Sequence, residues 1–219
     1  ELRAPLTLIT GNVDLLRKLG DSDPAFAARA VADIQSETSR MARMITQLLI
    51  LGRADAGAEV AKRPLLLADV VADALRQAQS IADGVTLRMV DGQVLDGVVV
   101  TGHDDYLRQL FLILLDNAVK YSGAGTEVCV EAELRPDTAR ISIIDQGRGI
   151  DPQDLPHIFD RFYRGRNASG ITGTGLGLAI ARWVVDQHGG EIEVDMAPGG
   201  GAKFTVLLPV TVTIVKPEA

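Results

Sequence analysis

Ile34, Met41 and Leu48 lie seven residues apart, joined by Met44, Ile45, Leu49 and Leu51. A stripe of that period commits the segment to a long amphipathic helix that needs a partner for its apolar face. Upstream, Leu6, Ile9, Val13, Leu16 and Leu19 follow three–four spacing, and Gly20 is placed to end that helix. Between them, Gly20 to Pro24 reads as a turn, with Asp23 as cap and Pro24 in the first helical position. Two helices joined this way form an antiparallel hairpin. One partner helix cannot bury the whole stripe. Two copies paired as a four-helix bundle would do so, and packing on the rest of the chain is the alternative. The first solution is a homodimer through residues 1–52.

Residues 53–64 are rich in Ala, Gly and charge and end at Pro64. This divides the chain into a hairpin over 1–57, a linker over 58–65 and a second domain over 66–215. Helix-like segments (68–81, 104–121, 175–188) alternate there with strand-like ones (85–90, 98–101, 128–134, 140–144, 192–195, 204–208). The expectation is α+β overall: a helical hairpin followed by an α/β sandwich, one mixed sheet under one helical layer.

Composition excludes several functions. The first 57 residues carry seven acids and seven bases, whereas the remainder carries 22 acids and 15 bases. An acidic second domain does not suit non-specific nucleic-acid binding. The longest apolar run, Leu110 to Leu115, is far short of the roughly 18–20 residues that span a bilayer. The charged start, with Pro5, does not read as a secretory signal. A single cysteine, Cys129, gives no disulfide framework, and with three scattered histidines it makes no zinc site. The bases that do cluster, Arg161, Arg164 and Arg166 with Arg148 nearby, suit a small anionic ligand or a solvated loop.

Four motifs carry the chemistry, in this order: Leu114 to Ser122 late in a helix, Asp145 to Ile150 after a strand, Phe159 to Tyr163, and Gly173 to Ile180 opening a helix. A carboxylate at the end of an apolar strand, Asp145, needs a partner. As an acceptor only, it suits the amine of adenine and repels the carbonyl of guanine. Gly147 and Gly149 let the backbone approach a flat ligand. Gly173, Gly175 and Gly177 before a helix offer N–H groups and a positive dipole end to phosphate. Asn117 and Lys120, three apart on one helix, pair a neutral oxygen for Mg²⁺ with a cation for phosphate.

Taken together, this set resembles the cytoplasmic core of bacterial two-component sensor histidine kinases. Asn117–Ser122 resembles the N box, Asp145–Ile150 the G1 box, Phe159–Tyr163 the F box and Gly173–Ile180 the G2 box. Glu1-Leu-Arg-Ala-Pro-Leu6 is similar to the H box, whose acceptor histidine falls one position before Glu1. The resemblance implies a dimerisation and phosphotransfer hairpin and a Bergerat-type domain that uses ATP and Mg²⁺. It implies that Asn117 holds Mg²⁺, that Lys120 meets phosphate and that Tyr121 lies along the nucleotide. Asp145, Gly147, Gly149 and Ile150 would form the adenine pocket. Gly173, Thr174, Gly175, Leu176, Gly177 and Leu178 would form the phosphate cradle. Residues 151–172 would be a lid anchored by Phe159 and Phe162, with Arg164 or Arg166 on the terminal phosphate. Glu1 would be the general base. A response-regulator receiver domain would dock on the hairpin. The location implied is the cytoplasmic part of a membrane-bound bacterial receptor.

Two departures bear on activity. The family often has an asparagine one turn before Asn117, where this chain has Ile113. Its Thr or Asn four residues after the acceptor histidine is Ala4 here. Ile113 also disfavours a gyrase-like ATPase, which needs a carboxylate there to activate water. It is the one feature favouring an inactive nucleotide-binding scaffold that docks a regulator.

Overall fold

A computed structural model describes residues 3–19, 23–56, 60–82, 84–168, 171 and 173–213. The chain forms two compact units, Glu1–Gly57 and Ala58–Ala219.

The first unit is a pair of helices packed on each other, α1 (Arg3–Leu19) and α2 (Pro24–Asp55). Asp23 caps α2, its carboxylate accepting from the Phe26 N–H at 2.9 Å, with Pro24 at the first position where a missing N–H costs nothing. Gly20 lies outside the described residues. Ala30, Met44, Ile50 and Leu51 are buried. Leu6, Leu8, Val13, Ile45, Leu48 and Leu49 remain exposed, so an apolar face runs along both helices uncovered.

The second unit begins earlier than the sequence suggests. Strand β1 (Arg63–Leu66) takes in the end of residues 58–65, read as linker. It is followed by α3 (Leu67–Gln79), β2 (Thr86–Val90), β3 (Val98–Gly102), α4 (Asp104–Ser122), β4 (Glu127–Leu134), β5 (Thr138–Ile144), α5 (Gly177–Gln187), β6 (Glu191–Met196), β7 (Ala202–Pro209) and β8 (Val212–Thr213). The main sheet runs β2-β4-β5-β7-β6, parallel only between β2 and β4. A second, three-stranded sheet, β1-β3-β8, replaces the single sheet expected from the alternation pattern. Alternation reveals a strand's buried face and not its neighbour, so β3 could not be assigned in advance.

The core follows from the same alternation. Val128, Val130 and Ala132 on β4 and Ala139, Ile141 and Ile143 on β5 are buried, and α4 and α5 pack on these strands and on β6 and β7. Helix α4 supplies Leu107, Leu110, Phe111, Leu114, Leu115 and Ala118 at three–four spacing, all buried. Each of the larger ones contributes roughly 1.5–3 kcal/mol by leaving water. Phe111 and its neighbours thus hold in place the helix whose last two turns carry Asn117, Lys120 and Tyr121.

His188, just past α5, joins the helical layer to the small sheet. Its Nδ1 donates to the Val184 carbonyl at 2.6 Å and its Nε2 accepts from the His103 backbone N–H at 3.0 Å. This arrangement requires the neutral ring. The ring fills the space beside Gly102, where a Cβ would lie 2.7 Å from its Cδ2. Burial holds its pKa below the ordinary imidazole value, and the Lys62 cation acts the same way, against an opposing pull from the hydrogen bond to the Val184 carbonyl.

Candidate nucleotide site

The four motifs interlock through glycines that sit where a side chain cannot. Asp145 follows β5 and is buried; its Oδ1 accepts from the backbone N–H of Gly147 at 2.8 Å and of Ala202 at 3.0 Å. Burial pushes its carboxyl up, against the two N–H groups that draw it down. A Cβ on Gly147 would lie 2.3 Å from the Tyr121 carbonyl oxygen, so this glycine lets the loop after β5 touch the end of α4.

Opposite Gly147, the chain at Gly201 (φ +86°) approaches so closely that a Cβ would lie 2.1 Å from the Asp145 carbonyl oxygen. The Asp145 N–H donates to the Ala202 carbonyl at 2.9 Å, closing the junction. Gly201 and Ala202 therefore hold Asp145, a role sequence reasoning did not assign them. The triplet Gly199-Gly-Gly201 was visible, but nothing in its spacing tied it to residue 145. Met196 is a second omission: it stands beside Gly149, where a Cβ would lie 2.5 Å from its Cε.

The glycine-rich loop is joined to its neighbours on two sides. Gly175 (φ +72°) accepts a hydrogen bond at its carbonyl from the Phe162 N–H at 2.9 Å, and a Cβ there would lie 2.6 Å from the Phe162 carbonyl carbon. Gly177, the first residue of α5, packs against Ile113, whose Cγ2 is 3.2 Å from the Cβ position. Ile113 is buried and serves the α4–α5 contact. Leu176, the cap residue, is buried and provides no side-chain cap, so the start of α5 has N–H groups available to an anion. The Leu176 N–H itself donates to Thr174 Oγ1 at 3.3 Å. Leu178 is half-buried within the first turn of α5, whereas Gly173 is exposed with no atom crowding its Cβ position.

At the end of α4, Asn117 is half-buried and Lys120 is paired with Asp116 one turn back. Tyr121 is half-buried; burial raises its pKa while the positive charge of Arg164 works the other way. Ile150 is half-buried beside Gly149.

The segment expected to act as a lid departs from that expectation at Phe162. Phe162 does not anchor it by its side chain: the ring is 62% exposed and the backbone has φ +63°. The anchor is its backbone bond to Gly175. A left-handed aromatic residue costs roughly 1–2 kcal/mol and needs such a contact to persist. Phe159 is half-buried with the Arg182 guanidinium 5.7 Å from its ring centre. Arg164 is bound within the lid, its Nη2 donating to the carbonyls of Ala168 at 3.0 Å and Ile171 at 2.5 Å. The Arg166 guanidinium makes a long ion pair with Asp151, at 3.9 Å. Glu1 lies outside the described residues.

The donor set can be tested against its expected ligands. Among the described residues no cluster of His, Cys, Asp or Glu could cage a metal ion. Mg²⁺ bound to a nucleotide draws most ligands from phosphate and water, so one neutral oxygen from Asn117 fits it. A buried carboxylate, an uncapped helix start and nearby cations fit adenine and polyphosphate. The one thiol, Cys129, is half-buried, and burial raises its pKa.

This architecture is that of the ATPase class that includes histidine kinases. Residues 102–212 match the family described as "Histidine kinase-, DNA gyrase B-, and HSP90-like ATPase", and residues 1–57 match "His Kinase A (phospho-acceptor) domain". The two in succession make the chain a member of the bacterial sensor histidine kinases of two-component systems. Similar proteins include Sensor protein KdpD of Escherichia coli, 34% identical over 95% of this chain and 23% of its own length. Sensor histidine kinase YkoH of Bacillus subtilis is 34% identical over 94% of this chain and 45% of its own length. The chain thus spans less than half the length of these curated relatives. Among solved structures, mycobacterial sensor histidine kinase MprB superposes with a TM-score of 0.61 at 32% identity, over 68% of this chain and 98% of that one. Histidine kinase AdeS of Acinetobacter baumannii shares the fold over 97% of this chain and 98% of its own, with a TM-score of 0.66 at 21% identity. No helix among the described residues is long and apolar enough to cross a membrane.

Proposed function

We propose that the chain is the kinase core of a sensor histidine kinase, binding Mg-ATP and passing its terminal phosphoryl to a histidine immediately before Glu1 and then to a response-regulator aspartate. The observation that carries this reading is Asp145. Its two backbone donors both use Oδ1, which leaves Oδ2 to accept from an adenine amine.

Each residue then has a defined task. Gly147, Gly149, Ile150 and Tyr121 border the base. Gly173, Thr174, Gly175, Gly177 and Leu178 present backbone N–H groups and the positive end of α5 to the phosphates, and Leu176, whose N–H is held by Thr174 Oγ1, shapes the turn between them. Asn117 offers an oxygen to Mg²⁺, which when bound neutralises phosphate charge. Lys120, on releasing Asp116, and Arg164 or Arg166 stabilise charge on the transferred group; the work is positioning and electrostatics. Glu1 accepts the proton of the acceptor imidazole.

The exposed apolar face of α1 and α2 supports a homodimer through residues 1–52, and the paired hairpins would offer the docking surface for a receiver domain. The greater length of the relatives supports a cytoplasmic core attached to a sensor and membrane anchor elsewhere in a larger protein. Nucleotide titration with Mg²⁺ tests the site: ATP should bind and GTP should bind at least tenfold more weakly. Phosphotransfer by a longer chain that includes the preceding histidine tests the kinase; binding without transfer would favour the scaffold reading.

A further inference from the structure

Asp154 belongs to none of the four motifs, yet it is among the few buried carboxylates, 3% exposed. Its Oδ1 accepts from the Tyr163 hydroxyl at 2.8 Å and its Oδ2 from the Arg166 backbone N–H at 2.9 Å. Between them lies Gly165, where a Cβ would stand 2.6 Å from Asp154 Oδ2. One carboxylate therefore grips both ends of Tyr163-Arg164-Gly165-Arg166, and the only intervening residue without a side chain is the one that faces it. The residue before this segment, Phe162, is bonded through its N–H to the Gly175 carbonyl and held at φ +63°. The arginine-bearing turn is thus fixed on one side to Asp154 and on the other to the glycine-rich loop.

We infer that Asp154 is a positioning residue that sets the two lid arginines in register with the phosphate cradle before nucleotide arrives. The inference rests on the ATP reading above. It assigns Asp154 no contact with substrate. Its carboxylate is consumed by Tyr163 and Arg166, which also hold its pKa below the usual carboxylate range, chiefly through the Arg166 N–H and then the Tyr163 hydroxyl. What it supplies is order: an arginine pre-aligned for the terminal phosphate loses less freedom on binding.

The ratio of ATP to ADP affinity, measured by calorimetry with Mg²⁺, reads this out, because only ATP carries the terminal phosphate. Asp154→Ala should weaken ATP about tenfold while ADP changes less than about twofold. Gly165→Ala, which drives a methyl into the carboxylate from the other side, should do the same. Asp154→Asn should keep the ratio within about threefold: its oxygen can accept from Arg166 and its amide can donate to the Tyr163 oxygen, since a phenol accepts as well as donates. Tyr163→Phe, a substitution that deletes a single hydroxyl, carries the test if Asp154→Ala fails to fold, and should lower the ratio about threefold.

Three results overturn the inference. Equal loss of ATP and ADP affinity in the Ala variants would reduce Asp154 to a general structural role. An Asn variant as poor as Ala would make its charge, and not its geometry, the active property. An unchanged ratio in all four variants would remove it from nucleotide binding. If the unaltered chain bound neither nucleotide, the ATP reading itself would fall, which is a separate outcome.

Discussion

Asp145→Asn separates ligand recognition from folding because of how the carboxylate is used. Both internal donors, the N–H groups of Gly147 and Ala202, converge on Oδ1 at 2.8 and 3.0 Å. Asparagine can keep its oxygen at that position and place its amide where Oδ2 was. The loop after β5 and the start of β7 then retain their bonds. The substitution also removes a charge that burial disfavours, so stability should hold or rise slightly. Toward a ligand the effect is opposite. An acceptor becomes a donor, and an adenine amine meets another N–H. Loss of a charge-assisted hydrogen bond costs about 1.5–3 kcal/mol. The dissociation constant for ATP should therefore rise roughly 10- to 150-fold, and discrimination against GTP should narrow because a guanine carbonyl can accept from the new amide. Calorimetric titration with ATP and GTP, alongside urea denaturation, measures both halves. Unchanged ATP affinity would refute the adenine assignment; an affinity loss matched by an equal stability loss would refute the claim that Oδ1 alone serves the fold. In the unaltered protein, the raised pKa of Asp145 means that lowering pH should weaken ATP binding from above the ordinary aspartate range of about 3.9.

Gly201→Ala should destabilise the second unit by about 2.5–5 kcal/mol in urea denaturation, combining left-handed backbone strain of roughly 1–2 kcal/mol with loss of the charge-assisted bond from the Ala202 N–H; a shift under about 1 kcal/mol would mean that the strand yields freely. His188 is neutral when folded and its pKa is lowered, so its contribution is complete above about pH 6.5 and declines as pH falls from there toward the folded value, by up to about 1.4 kcal/mol per pH unit. Urea midpoints between about pH 7.5 and 5 should show that slope in the unaltered chain and a shallower one in His188→Gln. Ile45→Glu with Leu49→Glu, on the exposed face of α2, should convert a dimer to monomer in light scattering without altering nucleotide affinity; an undiminished dimer would place the seam elsewhere.

The elements themselves were legible because their signals are local. Three–four spacing in α4 and period-two alternation in β4 and β5 report which face is buried, and Asp23-Pro24 marks a helix start whatever lies around it. The motif order likewise located Asp145, Asn117 and the glycine-rich loop, since each residue type has few chemical uses. Pairing was not legible. The partner of β3, the strand hidden in 63–66, the approach of Gly201 to Asp145 and the packing of Ile113 under Gly177 depend on segments dozens of residues apart. The exposed ring of Phe162 was misread for the same reason: an aromatic residue in a motif suggests an anchor, but its left-handed backbone is set by contact with Gly175 and turns the ring outward. Asp154 is the extreme case. A lone acidic residue in a polar loop carries no sequence signal, and its importance exists only once the fold closes Tyr163 and Arg166 around it. Sequence determines what each residue can do locally; long-range packing decides which groups meet, because the energy that selects those meetings comes from surfaces that only the folded chain brings together.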